Sequence, residues 1–148
     1  MEEMMKAVAI TGLNTAEIIR VKRPTPGPNQ ILIRVRACAI CTWEQRVFNG
    51  VKKLPLPHVG GHEIVGEIAA IGEGVNENRF PFGAKAAGRT LISCGTCYFC
   101  RRGYHTQCEN AGRLRNDGPE IYGNAGLAEY ICLEDPAVWR LDSGKDFP

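Results

Sequence analysis

Apolar and polar residues alternate most regularly just after Gln30. Ile31, Ile33, Val35 and Ala37 fall on one face and Leu32, Arg34 and Arg36 on the other, the period of two that predicts a strand buried on one side. Shorter stretches at 5–9, 17–22, 64–71, 86–92, 125–133 and 138–141 also read as strands. Breakers separate them at Gly12-Leu13-Asn14, at Pro24-Thr25-Pro26-Gly27-Pro28-Asn29 and at Gly72-Glu73-Gly74. One short helix is predicted after the long strand, with Thr42 and Gln45 at the spacing of a capping box and Gly50 as its stop. Many short strands and one helix, with no internal repeat, predict a mainly β fold: a partly open barrel with irregular loops.

Composition narrows the classes of function. A chain of 148 residues, 44% hydrophobic and 23% charged, is long enough to bury a core and reads as one globular domain over 1–148. Its 18 Lys+Arg against 16 Asp+Glu leave a formal charge of +2 spread along the chain, which offers no phosphate-tracking stripe and argues against nucleic acid. No apolar run approaches the roughly 18 residues that span a bilayer, so no membrane partner is expected. The opening Met1-Glu2-Glu3-Met4-Met5-Lys6 lacks the basic-then-apolar order of a signal peptide, and a cytoplasmic location is expected.

Seven cysteines cannot all pair, and a reducing compartment disfavours disulfides. Cys94, Cys97, Cys100 and Cys108 form a C-x2-C-x2-C-x7-C cluster in a glycine-bearing segment, a lobe of about 93–116, with too few aliphatics to hold its own shape. Four thiolates on one tetrahedral zinc would hold it and leave no open position, which makes the site structural. Arg101 and Arg102 stand where they would offset the anionic centre, and His105 is read as a solvated neighbour. An iron–sulfur set and a group of buried apolar thiols are the alternatives, although the seven residues before Cys108 break the usual iron–sulfur continuation. Cys41 falls just before a helix N-terminus, where exposed amides favour a thiolate and hence a metal ligand. Cys38 reads as a strand-end core residue, Cys132 as a buried apolar thiol, and His58 as a loop residue close enough in sequence to reach a site at His62.

Three separated signatures then stand in order: Cys41-Thr42-Trp43-Glu44, Gly61-His62-Glu63-Ile64-Val65-Gly66-Glu67 running into Ile71-Gly72-Glu73-Gly74-Val75, and the four-cysteine lobe followed by Gly126-Leu127-Ala128-Glu129-Tyr130. Together they resemble the N-terminal, GroES-like catalytic domain of zinc-dependent medium-chain alcohol dehydrogenases. The resemblance implies that Cys41 and His62 are ligands of a catalytic zinc, with Glu63 as a close or exchangeable ligand and Glu44 in a supporting role. Such a donor set leaves a position for a substrate oxygen, and zinc there lowers the pKa of an alcohol ahead of hydride loss.

Two departures qualify that implication. Trp43 occupies the place where many of these enzymes carry the Ser or Thr that starts a proton relay. No G-x-G-x-x-G fingerprint occurs, so the Rossmann domain that binds NAD or NADP is expected to be missing from these residues, together with a third protein ligand of the catalytic zinc. The expected function is therefore the zinc-binding half of an oxidoreductase acting on a small alcohol or polyol, inactive without its nucleotide-binding domain. The alternative is a non-enzymatic, zinc-stabilised binding or homo-oligomerisation module.

Overall fold

The computed structural model describes residues 3–89, 93–110 and 125–141. Strands β1 (Met4–Gly12) and β2 (Thr15–Lys22) form an antiparallel hairpin, in register from Met4 opposite Lys22 to Gly12 opposite Thr15. Asn14, at φ 52°, supplies the left-handed residue of the turn. Met5, Ala7 and Ala9 point inward at every second position and pack with Val21 and Val59.

The remaining strands form one five-stranded antiparallel sheet that curls into a half-barrel. They are β3 (Gln30–Ala39), β4 (Glu63–Ile71), β5 (Lys85–Arg89), β6 (Tyr130–Glu134) and β7 (Val138–Arg140), in spatial order β6-β3-β4-β5-β7. Its concave face carries Ile31 and Ile33 of β3, Ile64 and Ile68 of β4, Ile131 and Leu133 of β6, and Phe80 from the β4–β5 connection. Each of these is almost wholly removed from water, worth about 1.5–3 kcal/mol per side chain. The hairpin docks against the sheet's open end through Val8, whose amide donates to the Leu127 carbonyl at 2.8 Å, and through a reciprocal pair of bonds between Ile10 and His58.

The strand expected from alternation is present, but its two faces are less distinct than the pattern implied. Leu32 is buried although Arg34 on the same face is exposed, and β3 shifts register against β4 between Leu32 and Ile33. Ala37 is exposed, because β3 is irregular against β4 between Val35 and Ala37 and leaves its earlier alternation there. The strand expected over 125–133 begins only at Tyr130: Ala125 adopts φ 58°, and Gly126 and Leu127 bond to the backbone of Gly61 and Gly60 instead. The strand expected over 86–92 ends at Arg89 among the described residues, and 90–92 lie outside them. Cys132 is half-buried rather than buried, as is Cys38. No helix among the described residues is long and apolar enough to cross a membrane.

Candidate metal centres

Helix α1 (Thr42–Phe48) begins immediately after β3, and its cap is built by the residues of interest. The N-cap is Cys41, not Thr42. Its Sγ accepts the Trp43 amide at 3.2 Å, while Glu44, three residues on, accepts the Cys41 amide at 3.3 Å. A cysteine sulfur thus takes the part usually played by a Ser or Asp oxygen.

Glu44 is 3% exposed. One of its oxygens accepts the Gly61 amide at 3.0 Å and lies 3.2 Å from His62 Nδ1. Burial alone would raise its carboxyl, but the Gly61 amide, its own amide, Cys41 and His62 outweigh that and hold it below the usual value. A charged Glu44 makes His62 Nδ1 the donor and leaves Nε2 with the free lone pair. The paired glycines make the approach possible. A Cβ on Gly60 would stand 2.7 Å from Glu44 Cγ, and one on Gly61, already at φ +96°, would stand 2.5 Å from the Leu127 amide nitrogen.

Cys41, His62 and Glu63 consequently come together: one ligand atom from each lies within 4.8 Å of the others. Cys41 and His62 are half-buried, and Glu63, the first residue of β4, is exposed. This donor set of thiolate, imidazole and carboxylate fits zinc. Glu44 supports His62 from behind, the carboxylate–imidazole pairing that fixes a ligand's tautomer and ring orientation. Cys38 lies beside this trio but outside it. Its thiol is pushed up by burial, against the backbone bond with Glu63, and faces the negative charges of Glu44 and Glu63. His58 is buried with both ring nitrogens unpartnered, and it belongs to neither ligand group.

The second centre is the cluster of Cys94, Cys97, Cys100 and Cys108, whose four sulfurs lie within 4.8 Å of one another. Two single 3-10 turns, Cys100–Arg102 and His105–Gln107, fold the segment back on itself, and Gly95 and Gly103 take the left-handed conformation at its corners. Amides already point at sulfur. The Cys94 and Asn110 amides donate to Cys108 Sγ at 3.3 Å each, and Cys94 Sγ receives the Cys97 amide and the Asn110 side chain at 3.4 Å each. Asn110, Thr96 and these amides bring the Cys94 thiol down to about 5, and amides of Cys100 and Glu109 lower Cys97. Burial instead pushes Cys100 up to about 12, so the group needs a cation to ionise fully. Four sulfurs at this spacing fit tetrahedral zinc. His105 stays exposed, sharing a 3.3 Å bond with Ser93, and the Arg102 guanidinium lies over the Tyr98 ring at 3.7 Å rather than facing sulfur. Residues 111–116 of the expected lobe lie outside the described residues.

Sequence reasoning missed Cys41 as the helix cap and left Gly60 and Gly61 without a role. The C-x-x-E spacing and the glycine pair were the available signals.

Comparison with known proteins gives a consistent result. The family model described as the alcohol dehydrogenase GroES-like domain matches residues 27–143. L-threonine 3-dehydrogenase of Pectobacterium carotovorum is 43% identical over 127 residues, 82% of this chain and 35% of the relative. Among solved structures, acetophenone reductase from Geotrichum candidum in complex with NAD superposes with a TM-score of 0.81 at 27% identity, over 99% of this chain and 42% of that one. A thermostable alcohol dehydrogenase from Pyrobaculum aerophilum, with cobalt and zinc bound, gives a TM-score of 0.74 at 27% identity, over 93% of this chain and 41% of that one. The chain thus spans well under half the length of the proteins it matches.

Proposed function

Because the chain belongs to the alcohol dehydrogenase GroES-like domain family, we propose that it is the metal-binding part of a zinc-dependent dehydrogenase that oxidises a small alcohol or polyol with NAD or NADP. The observation that carries this reading is the convergence of Cys41, His62 and Glu63 within 4.8 Å, with the buried Glu44 holding His62. A cluster of four cysteines alone would explain only a structural ion.

In this reading Cys41, His62 and Glu63 hold the catalytic zinc, and Cys94, Cys97, Cys100 and Cys108 hold a second, structural one. The zinc, when bound at the trio, polarises the substrate hydroxyl and makes its proton easier to lose. The chain's own residues prepare that step. Glu44 keeps the proton of His62 on Nδ1, so that ring offers Nε2 in a fixed direction. The Trp43 amide donates to Cys41 Sγ and fixes where the sulfur stands. Glu63 is the exposed member of the trio and is the group we assign to exchange with solvent or substrate oxygen. Trp43 brings no hydroxyl to the helix start, so the proton leaves along the Glu63 side rather than through a side-chain relay at that position. Nucleotide binding is assigned to a separate Rossmann unit, since these 148 residues contain no dinucleotide fingerprint. L-Threonine, named for the 43%-identical relative, is one substrate to assay when that unit is present.

Metal content per chain tests the reading. After loading with zinc and gel filtration, elemental analysis is expected to find about two ions per chain, one for each donor group. Cys41→Ser or His62→Ala should remove one ion and leave the other. A single ion that neither substitution affects would refute the catalytic centre and favour a structural or binding module held by the lobe alone.

A further inference from the structure

The chain that follows Glu44 carries an uneven charge. From Gln45 to Gly61 it holds Arg46, Lys52 and Lys53 and not one Asp or Glu. All three cations are exposed, and among the described residues none of them is paired with a carboxylate. Arg23 with Glu3, Arg36 with Glu67 and Arg79 with Asp135 are paired by contrast.

One of the three is held over the ring of Trp43. The Lys52 ammonium lies 4.9 Å from the centroid of the Trp43 ring, and the Lys52 amide donates to the Arg46 carbonyl at 2.8 Å, tying the segment back onto α1. Trp43 is two residues from Cys41, with its amide on the Cys41 sulfur. Trp43 is 40% exposed, so its ring is open to a molecule in solution. The position next to a ligand thiolate therefore presents a flat apolar face with a cation over it. Such a pairing suits a molecule with a carbon skeleton to lie on the ring and an anionic end to meet the ammonium.

We propose that Trp43 and Lys52 form a subsite that selects substrates bearing an anionic group, carboxylate or phosphate, on the same skeleton as the reacting hydroxyl. This rests on the dehydrogenase reading and deepens it: the substrate is an anionic polyol or hydroxy acid rather than a neutral alcohol. Trp43 lies where many members of the family place a relay hydroxyl, and here the position is given to holding the substrate. Arg46 and Lys53 raise the local positive potential without touching the ring, which favours arrival of an anion over its retention.

The chain contains two tryptophans, Trp43 and Trp139, so Trp139→Phe leaves Trp43 as the fluorescent reporter. The experiment loads this variant with cobalt and titrates it with sorbitol, gluconate and sorbitol 6-phosphate, following the Trp43 emission and the cobalt absorption together. The expected result is a midpoint for gluconate or sorbitol 6-phosphate at least about tenfold below that of sorbitol, as one charge-assisted hydrogen bond supplies. Added salt should weaken it, Lys52→Met should abolish the preference, and Lys52→Arg should keep it. Whichever anion binds more tightly identifies the source of the charge. Equal midpoints for all three compounds, an unchanged preference in Lys52→Met, or no response at any soluble concentration would overturn the subsite. The cobalt band reports the dehydrogenase reading separately: because the four lobe sulfurs also contribute, the share lost in Cys41→Ser is the part that belongs to the trio. If that substitution leaves the thiolate-to-cobalt absorption unchanged the dehydrogenase reading fails, whereas a normal Cys41 share with no anion preference removes only the subsite.

Discussion

At the scale of single residues, His58 is the group whose surroundings suit it least. It is buried, and neither ring nitrogen has a hydrogen-bond partner. Burial pushes its pKa below the ordinary 6.5, and the charge of Glu44 only partly opposes that. A buried neutral imidazole makes stability depend on pH in a definite direction. Above the unfolded value neither state carries the proton, so nothing is lost. Below it the unfolded chain takes up a proton that the folded chain resists, and stability falls as the pH drops. His58→Leu removes both the unpaired nitrogens and the proton. Urea titration should show the variant more stable than the parent by about 1–2 kcal/mol at neutral pH, with the gap widening from about pH 7 to pH 5. A parent whose stability follows pH as steeply as that of the variant would refute the assignment. Nothing in the order of residues foretold this burial. The Leu54-Pro55-Leu56-Pro57 run reads as an exposed connection, and only the pairing of His58 with Ile10 draws it into the fold.

At the scale of elements, Cys41 has two duties that can be separated by substitution. As N-cap of α1 it accepts an amide, and as a member of the trio it offers a sulfur. Serine is a good cap and a poor zinc ligand, whereas alanine is neither. Cys41→Ser and Cys41→Ala should therefore lose the second ion equally. In thermal or urea unfolding of the metal-free proteins, the alanine variant should be the less stable by about 1 kcal/mol. Equal stability would mean that the cap contributes nothing. The same element shows where sequence reading stops. Ser, Thr, Asp and Asn are the expected caps, so attention goes to Thr42, one residue too late, although Glu44 stands at the reciprocal position. The neighbouring strand was more legible. Ile31 and Ile33, two positions apart, and Ile64 and Ile68, four apart, announce a buried face because their spacing is a multiple of the strand's period of two. Leu32 was misplaced because alternation assumes an unbroken register, and β3 shifts against β4 between Leu32 and Ile33. The donor groups followed a similar rule. The cysteine lobe is local in sequence and was readable from spacing, whereas the trio joins residues from either side of a long connection and became readable only through a family likeness.

At the scale of the whole molecule, the two centres depend on metal to different degrees. The half-barrel has its own apolar core of Ile31, Ile33, Ile64, Ile68, Phe80, Ile131 and Leu133. Among the described residues of the lobe the only buried apolar side chains are Cys100 and Cys108, so its shape rests on what the sulfurs hold. Stripping metal with a strong chelator should leave the barrel folded and release the lobe. Hydrogen exchange followed by mass spectrometry is the measurement: amides over 94–108 should lose protection while those of β3 and β4 keep theirs. Simultaneous loss across both regions would show that the barrel cannot stand without the ion.

The lobe's two attachments close together. Arg89, the last described residue before it, lies opposite Glu63, and Gly126, among the first described after it, donates to the Gly61 carbonyl at 3.1 Å. The chain thus departs and returns within two residues of His62. A detour whose ends are already stapled side by side adds almost no closure entropy when its length changes. The lobe can lengthen, shrink or be traded for a plain turn while the ligands stay where they are.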